Sequence, residues 1–575
     1  MEEVKKLLDN FSDYIAYFSM EVGLDENLPT YGFGYKESQT IALLAYSGGL
    51  GVLAGDSIRS AADLKLPFMA VTLISKKGYF KQELTPEGRQ IEHYISWNPE
   101  GFMKILPQEI EVEIEKRKVK IKAWLYIVEG STDGKVMVFF LDTDVQGNSE
   151  EDRRITDYLY GGDEKYRLKQ EIVLGIGGVR LLEALGIRVR KYHMNEGHSS
   201  LLTLELLKRH NLKVDTVKGL CVFTTHTPVE AGHDKFSYEL VGEILGDFIS
   251  FEMLKELGGK GHLNMTLLAL NLSGNVNGVS KKHREVSQKM FPSYEIHAIT
   301  NGIHSYTWTH PSFRKLYDKY LPGWANEPEI LVRAETIPDN EVWQARLEAK
   351  KELLDYVNSL TAGDFSHEVF TIGFARRVAV YKRQALLFSD LERLKKINKK
   401  YPFQIVFAGK AHPKDEPGKK MIEQLFSYIR SLKDEIKIVY LADYNMGLAH
   451  KLIAGVDLWL NTPQSPMEAS GTSGMKAAHN GVVNFSVLDG WWAEGWVEGV
   501  TGWSIGPQPN EKLPAEEAYR RELEDIYNKL EYVILPMYYE QRDKWVEIVQ
   551  NSIAKIAYFF NTHRMMRRYV TEAYF

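Results

Sequence analysis

The chain has 575 residues, 44% hydrophobic and 26% charged, with 71 Lys and Arg against 77 Asp and Glu for a formal charge of −6. That length calls for at least two domains with separate cores, and the composition excludes a fibrous repeat, a disordered chain and a general nucleic-acid-binding surface. One cysteine, Cys221 in the apolar run LCVF, excludes an intramolecular disulfide framework.

The first residues, MEEVKKLLDNFSDYIAYFS, lack the apolar core and cleavage site of a secretory signal, and no stretch approaches the roughly 18 apolar residues of a membrane span. A cytoplasmic protein without membrane contact is expected. The run IALLAY is followed by SGGLGVLAGD, whose glycines 49, 51 and 55 loosely resemble a dinucleotide fingerprint. No second strand ends in an acidic ribose ligand about 20 residues on, where that fingerprint wants one. A glycine loop on a phosphate or sugar and a plain strand-to-helix turn both fit. Residues 107 to 143 contain IEVEIEKRKVKIKAWLYIV, whose alternation predicts an antiparallel excursion from the first domain.

HMNEGHSS and TTHTPVEAGHD place His193, Glu196, His198, His226 and His233 at predicted strand ends. Their spacing matches no recognised zinc motif, so no metal is expected, and histidines there also suit sugar hydroxyls or loop stabilisation. The runs KGLCVFTTHTP (218 to 228) and EIHAITNGI (295 to 303) end in polar and small residues, as ligand-facing carboxyl ends of parallel strands do. Asn301 in the second is a turn residue or a sugar-binding amide. The proline and Asp-Asn of ETIPDNEVWQ (335 to 344) mark a domain break, giving domains 1–335 and 336–575.

The second half alternates strands and helices. VFTIGFA (369 to 375) precedes a helical stretch from Lys382, and FQIVFAG (403 to 409) precedes another over 415 to 432. IKIVYLAD (436 to 443), DLWLNT (457 to 462) and VVNFSVLDG (482 to 490) complete a doubly wound parallel domain. Within it, FARRVAVYKRQ puts Arg376, Arg377, Lys382 and Arg383 just after a strand, where they suit a phosphate dianion or form a solvated helix face. In EASGTSGMKAAHNG (468 to 481), the small residues Ser470 to Gly474 admit an anion close to the backbone at a helix start. Lys476 lies just inside that helix. A partly desolvated lysine near other cations can form an imine with an aldehyde cofactor. An ordinary capped helix with one exposed lysine fits the same pattern. LDGWWAEGW (488 to 496) is a sugar platform or core packing, and the final HRMMRRYVTEAYF is helical in pattern.

Taken in this order, from YFSMEVGLDE (17 to 26) to FNTHRMMRRY (560 to 569), the motifs resemble the α-glucan phosphorylase family, in its shorter bacterial and archaeal form. EASGTSGMK is similar to that family's cofactor-lysine motif, ARRVAVYKR to its phosphate-site motif and GGLG to its glycine loop. The resemblance implies an α/β, GT-B-like fold of two doubly wound Rossmann-like domains facing across a catalytic cleft. The N-terminal one would bind glucan, the C-terminal one pyridoxal 5′-phosphate, and the final helix would cross back. It implies retaining phosphorolysis of α-1,4-glucan ends by inorganic phosphate to glucose 1-phosphate.

Carried over by position, Lys476 forms the Schiff base with the cofactor. Gly471, Thr472 and Ser473 lie along the cofactor phosphate, with Arg376 and Tyr444 nearby, while Arg377, Lys382 and the Gly49 amide hold the substrate phosphate. Glu468, Ser470, Asn301 and His226 contact the glucosyl unit, with His198 and Tyr381 as further substrate positions. The His226 carbonyl is a candidate stabiliser of oxocarbenium-like charge. A homodimer is the expected assembly, with no nucleic acid or membrane partner. Two departures stand out: Gly32 to Tyr46 is interposed before the glycine loop, and Asn445 follows Tyr444 where animal enzymes have arginine. The rival readings are a GT-B nucleotide-sugar glucosyltransferase, which needs no Lys476, and an inactive glucan-binding protein.

Overall fold

Runs such as YIAYFS and FMAVTL are buried on both faces, the pattern of strands covered on each side by helices. The computed structural model describes residues 10–24, 46–94, 96–361, 363–508, 511 and 513–575. Gly32 to Ala45, most of the interposed segment, lies outside them. The chain divides into two compact units, one of Met1–Phe80, Tyr94–Thr300 and Met565–Phe575, the other of Lys81–His93 and Asn301–Arg564. The division falls after Thr300 rather than near 335. The reason is packing: Phe313, Tyr317, Trp324 and Leu331 are buried in the core of the second unit.

The sheet of the first unit contains β1 (Tyr14–Ser19), β2 (Phe68–Leu73), β3 (Lys104–Ile114), β4 (Arg117–Glu129), β5 (Lys135–Asp142), β6 (Val189–Asn195), β7 (Cys221–Thr224), β8 (Asn275–Gly278) and β9 (His297–Ala298). Its order is β9-β8-β7-β6-β1-β2-β5-β4-β3. From β9 to β5 every pairing is parallel, and β4 and β3 extend the edge antiparallel, as the alternation predicts. Glu115 and Lys116, with φ of 52° and 61°, form the left-handed turn between them. Strand order reverses between β1 and β6, so the carboxyl ends of these two strands frame a switch point. After β1 the helix α1 (Gly49–Asp63) runs back along the sheet.

The sheet of the second unit contains β10 (Phe370–Ala375), β11 (Phe403–Ala408), β12 (Ile438–Leu441), β13 (Leu458–Asn461), β14 (Val483–Val487) and β15 (Gly502–Ile505). The order is β12-β11-β10-β13-β14-β15, all parallel, with its switch point between β10 and β13. No helix starts at Lys382. A short turn, Val380–Lys382, ends at Arg383 with φ 47°, a second spans Leu386–Phe388, and the helix begins at Leu391, where the Asp390 side chain accepts the Arg393 amide at 2.9 Å.

The last helix, α2 (Thr562–Tyr569), carries Met565, Met566 and Tyr569 into the core of the first unit beside Ile15, Tyr17 and Val222. Among the described residues no helix is long and apolar enough to cross a membrane.

Candidate active site

In the second unit the two strands flanking the switch point lead into the candidate residues. β10 ends at Ala375 and hands over Arg376 and Arg377, while the chain leaving β13 runs through Glu468 and Ser470 to the six-residue helix Ser473–Ala478 that holds Lys476. Asp489 organises this loop: its Oδ2 accepts the Glu468 amide and its Oδ1 the Gly490 amide, both at 2.9 Å. Gly490 has φ 55°, and a Cβ there would lie 2.2 Å from the Ser470 carbonyl oxygen, so only glycine fits that turn.

Glu468 Oε2 accepts from Arg376 Nη2 at 2.5 Å and from Lys382 Nζ. Burial drives the Glu468 pKa up, but the adjoining Lys382 and Arg376 charges outweigh it and hold it at about 2. Burial and Arg376 lower the Lys382 pKa, against the pull of Glu468. Arg376 spends only one nitrogen on this pair. Its Nε and Nη1 are buried with no hydrogen-bond partner among the described residues, as is the Ser470 hydroxyl. Unpaired buried donors cost about 1–3 kcal/mol each, so this corner is short of an acceptor.

The remaining predicted residues of this unit lie around that cluster or apart from it. Burial raises the pKa of Tyr444 and the Arg376 charge opposes it. The Tyr381 ring lies beneath Lys382 Nζ, 4.4 Å from its centroid. The Gly471 backbone has φ 74°, the Thr472 carbonyl accepts the Lys476 amide at 3.1 Å, and Ser473 Oγ accepts from Trp459 Nε1. Asn301 is buried, its Oδ1 without a partner among the described residues and its carbonyl accepting from Arg564. Arg377, by contrast, is exposed. Arg383 is withdrawn from the cluster altogether, donating to the Thr462 and Pro463 carbonyls and to Glu522. Trp491 and Trp492 are buried against one another with ring centroids 5.1 Å apart, so packing rather than a sugar platform occupies them.

In the first unit, Gly49 opens α1. His226 is placed by two contacts: its Nε2 meets Asn195 Oδ1 at 2.7 Å and its amide donates to Glu196 Oε2 at 2.7 Å. Glu196 sits at φ 73°, a conformation held by the three donors its carboxylate satisfies, from Gly197, His226 and Thr227. Burial lowers the pKa of both His226 and His198 to about 3. His198 Nε2 lies 3.6 Å from Asp234, and its Nδ1 has no partner among the described residues. His193 serves the core, bonding Tyr574 and Thr224, while His233 meets Thr266 and Met290.

Residues 234–494 match the family model described as carbohydrate phosphorylase. The maltodextrin phosphorylase of Thermococcus litoralis is 41% identical, across 97% of this chain and 70% of its own length. The glycogen phosphorylase of Aquifex aeolicus is 35% identical across 100% of this chain and 88% of its own, and that of Mycobacterium tuberculosis 35% across 97% and 70%. The chain belongs to the carbohydrate phosphorylase family. Its mixed α/β architecture with large parallel sheets is consistent with the GT-B-like fold of these phosphorylases.

Enzymes of the phosphorylase family use pyridoxal phosphate, and the second unit fits such a group. The orphaned Arg376 nitrogens and the Ser470 hydroxyl want acceptor oxygens, and Lys476 is buried with Nζ 3.6 Å from the centroid of the Trp308 ring. Trp308 and Asp489 escaped sequence reading. The Asp-Gly pair that ends SVLDG was a usable signal for Asp489, whereas Trp308 is distant in sequence and carries none.

Proposed function

We propose that this phosphorylase moves the glucosyl unit at the non-reducing end of an α-1,4-glucan, glycogen or maltodextrin, onto inorganic phosphate, giving α-D-glucose 1-phosphate with retention. The observation that carries this reading is Arg376, a half-buried guanidinium whose buried Nε and Nη1 have no hydrogen-bond partner among the described residues, joined through Glu468 to Lys382 at a switch point that also presents Lys476.

Lys476 would hold pyridoxal 5′-phosphate, with the Gly471 to Ser473 backbone, Arg376 and Tyr444 receiving its phosphate. When bound, that group supplies a second phosphate able to exchange a proton with the reacting one. Two phosphates brought together repel, and Lys382 and Arg377 are the cations that offset this for the substrate anion. The substrate phosphate gives its proton to the departing glucan oxygen as the anomeric bond breaks, and its own oxygen then bonds the anomeric carbon on the same face. Glu468, Ser470, Asn301, Tyr381 and His198 hold sugar hydroxyls, and the His226 carbonyl faces the positive charge that develops on the ring.

The test incubates purified protein with maltodextrins of graded length, phosphate and added pyridoxal phosphate, and measures glucose 1-phosphate. Phosphate-dependent product is expected, and a Lys476→Ala variant should lose both bound-cofactor absorbance and product. No product at any glucan length would overturn the reading.

A further inference from the structure

In the first unit, a carboxylate from the exit of β1 holds the glycine loop. Glu21 is buried, and its Oε2 accepts the Ser47 amide at 2.5 Å, the Ser47 hydroxyl at 3.2 Å and the Gly48 amide at 3.4 Å. Its other oxygen accepts the Tyr160 hydroxyl at 3.0 Å. Tyr160 is itself anchored: the Arg167 guanidinium lies 4.5 Å from its ring centroid, and Arg167 pairs with Asp234 at 2.9 Å and Glu171 at 3.1 Å.

The glycines of SGGLGVLAG divide into two kinds. A Cβ on Gly51 would lie 2.9 Å from Glu21 Oε2, and one on Gly55 would lie 1.9 Å from the Gly23 carbonyl oxygen. These two let the chain leaving β1 press directly on α1, where the Gly23 amide donates to the Gly51 carbonyl at 2.7 Å. A Cβ on Gly48 or Gly49 would meet nothing within 4 Å among the described residues, so their packing there does not require glycine. Their bare backbone suits a close-lying ligand.

We propose that Glu21 is the positioning residue of this loop: by engaging the Ser47 and Gly48 amides itself, it fixes the turn and leaves Gly49 N–H as the first amide offered to the reacting phosphate. The phosphate half of the proposal rests on the function proposed above, and the loop-holding half does not. A glutamine at this position keeps one acceptor oxygen, so either the loop amides or the Tyr160 hydroxyl would face an N–H instead.

The experiment compares Glu21→Gln and Tyr160→Phe with the parent holoenzyme. Hydrogen exchange of the peptide spanning residues 46 to 53 is read alongside KM for phosphate, KM for maltodextrin, cofactor absorbance and the melting temperature. In E21Q, exchange in that peptide and KM for phosphate should each rise about tenfold, the size of a lost charged hydrogen bond. KM for maltodextrin and cofactor content should stay within about twofold. Y160F should move the same two readouts in the same direction by about threefold, and it keeps the test readable if E21Q does not fold. Unchanged loop exchange in both variants overturns the proposal, as does an equal rise in both KM values accompanied by a lower melting temperature. If the parent enzyme makes no glucose 1-phosphate, the functional reading falls, and exchange in the loop still decides whether Glu21 holds it.

Discussion

Lys476 carries its side-chain nitrogen directly over the indole of Trp308, 3.6 Å from the ring centroid, and both residues are buried. A desolvated cation on a tryptophan face is stabilised by about 2 kcal/mol. Lys476 is therefore held in place by the protein itself.

In cofactor-free protein, Lys476→Arg should keep most of this contact and Lys476→Met should lose its charge component. The methionine variant should be less stable than the arginine variant by about 1–2 kcal/mol, read as the difference in denaturant midpoint. Equal stability of the two would show that Trp308 merely packs against the lysine stem.

Glu468 ties two cations together, and its low pKa fixes the sign of its pH dependence. Lys382 and Arg376 hold its carboxyl at about 2 in the folded chain, below the ordinary glutamate value of 4.5. Its stabilising contribution is therefore present above the unfolded value and lost as pH falls toward the folded one. Glu468→Gln removes that contribution and leaves Lys382 and Arg376 buried without their counter-charge, at a cost of about 3–5 kcal/mol. Inorganic phosphate can supply the missing negative charge to these two cations. The melting temperature of the glutamine variant should thus rise more on adding phosphate than that of the parent. An equal rise in both would mean these cations are not the ones a phosphate uses.

The sequence made most of this second sheet legible, because β10 to β14 are short apolar runs bounded by turn residues. β15 was missed: GWSIG has glycine at both ends and only four residues of strand, too little pattern to stand out. The sequence suggests a break at ETIPDNEVWQ because proline punctuates it, whereas the division by packing, after Thr300, lies inside an apolar run whose continuation packs in the second core. Residue types at the site were readable from local motifs; their pairings were not. Nothing in FARRVAVYKRQ tells that Arg376 turns inward, that Arg377 stays exposed and that Arg383 finds Glu522, 139 residues away. Such assignments depend on long-range partners, which spacing does not encode.

Arg383 gives that distinction an experimental form. Its guanidinium meets both oxygens of Glu522 and two backbone carbonyls while its own backbone is left-handed at φ 47°. Arg383→Ala should strand the buried Glu522 carboxylate and destabilise the second unit by about 3 kcal/mol. Double substitution of Arg383 and Glu522 by Met should recover part of that loss. A rise in KM for phosphate at unchanged stability would instead restore Arg383 to the phosphate cluster.

Acid should act first on the first unit, because that is where the buried neutral histidines are concentrated. Burial lowers the pKa of His193, His198 and His226 to about 3 and of His233 and His283 to about 4, all from 6.5. A histidine lowered in this way stays neutral in the folded chain while the unfolded chain takes up its proton. Its contribution to stability is complete above the unfolded value and is lost as pH falls toward the folded one. At pH 5 the loss is about 2 kcal/mol for each such histidine. In the second unit only His479, at about 4, and His310, lowered by burial, carry the same resolved shift among the described residues. Hydrogen exchange at pH 5 and pH 7.5 should therefore show protection falling earlier across residues 94 to 300 than across 301 to 564. His193→Gln should reduce by about one the protons taken up on acid unfolding of the first unit. Equal loss of protection in the two units would show that these histidines find their charge compensated in the folded state.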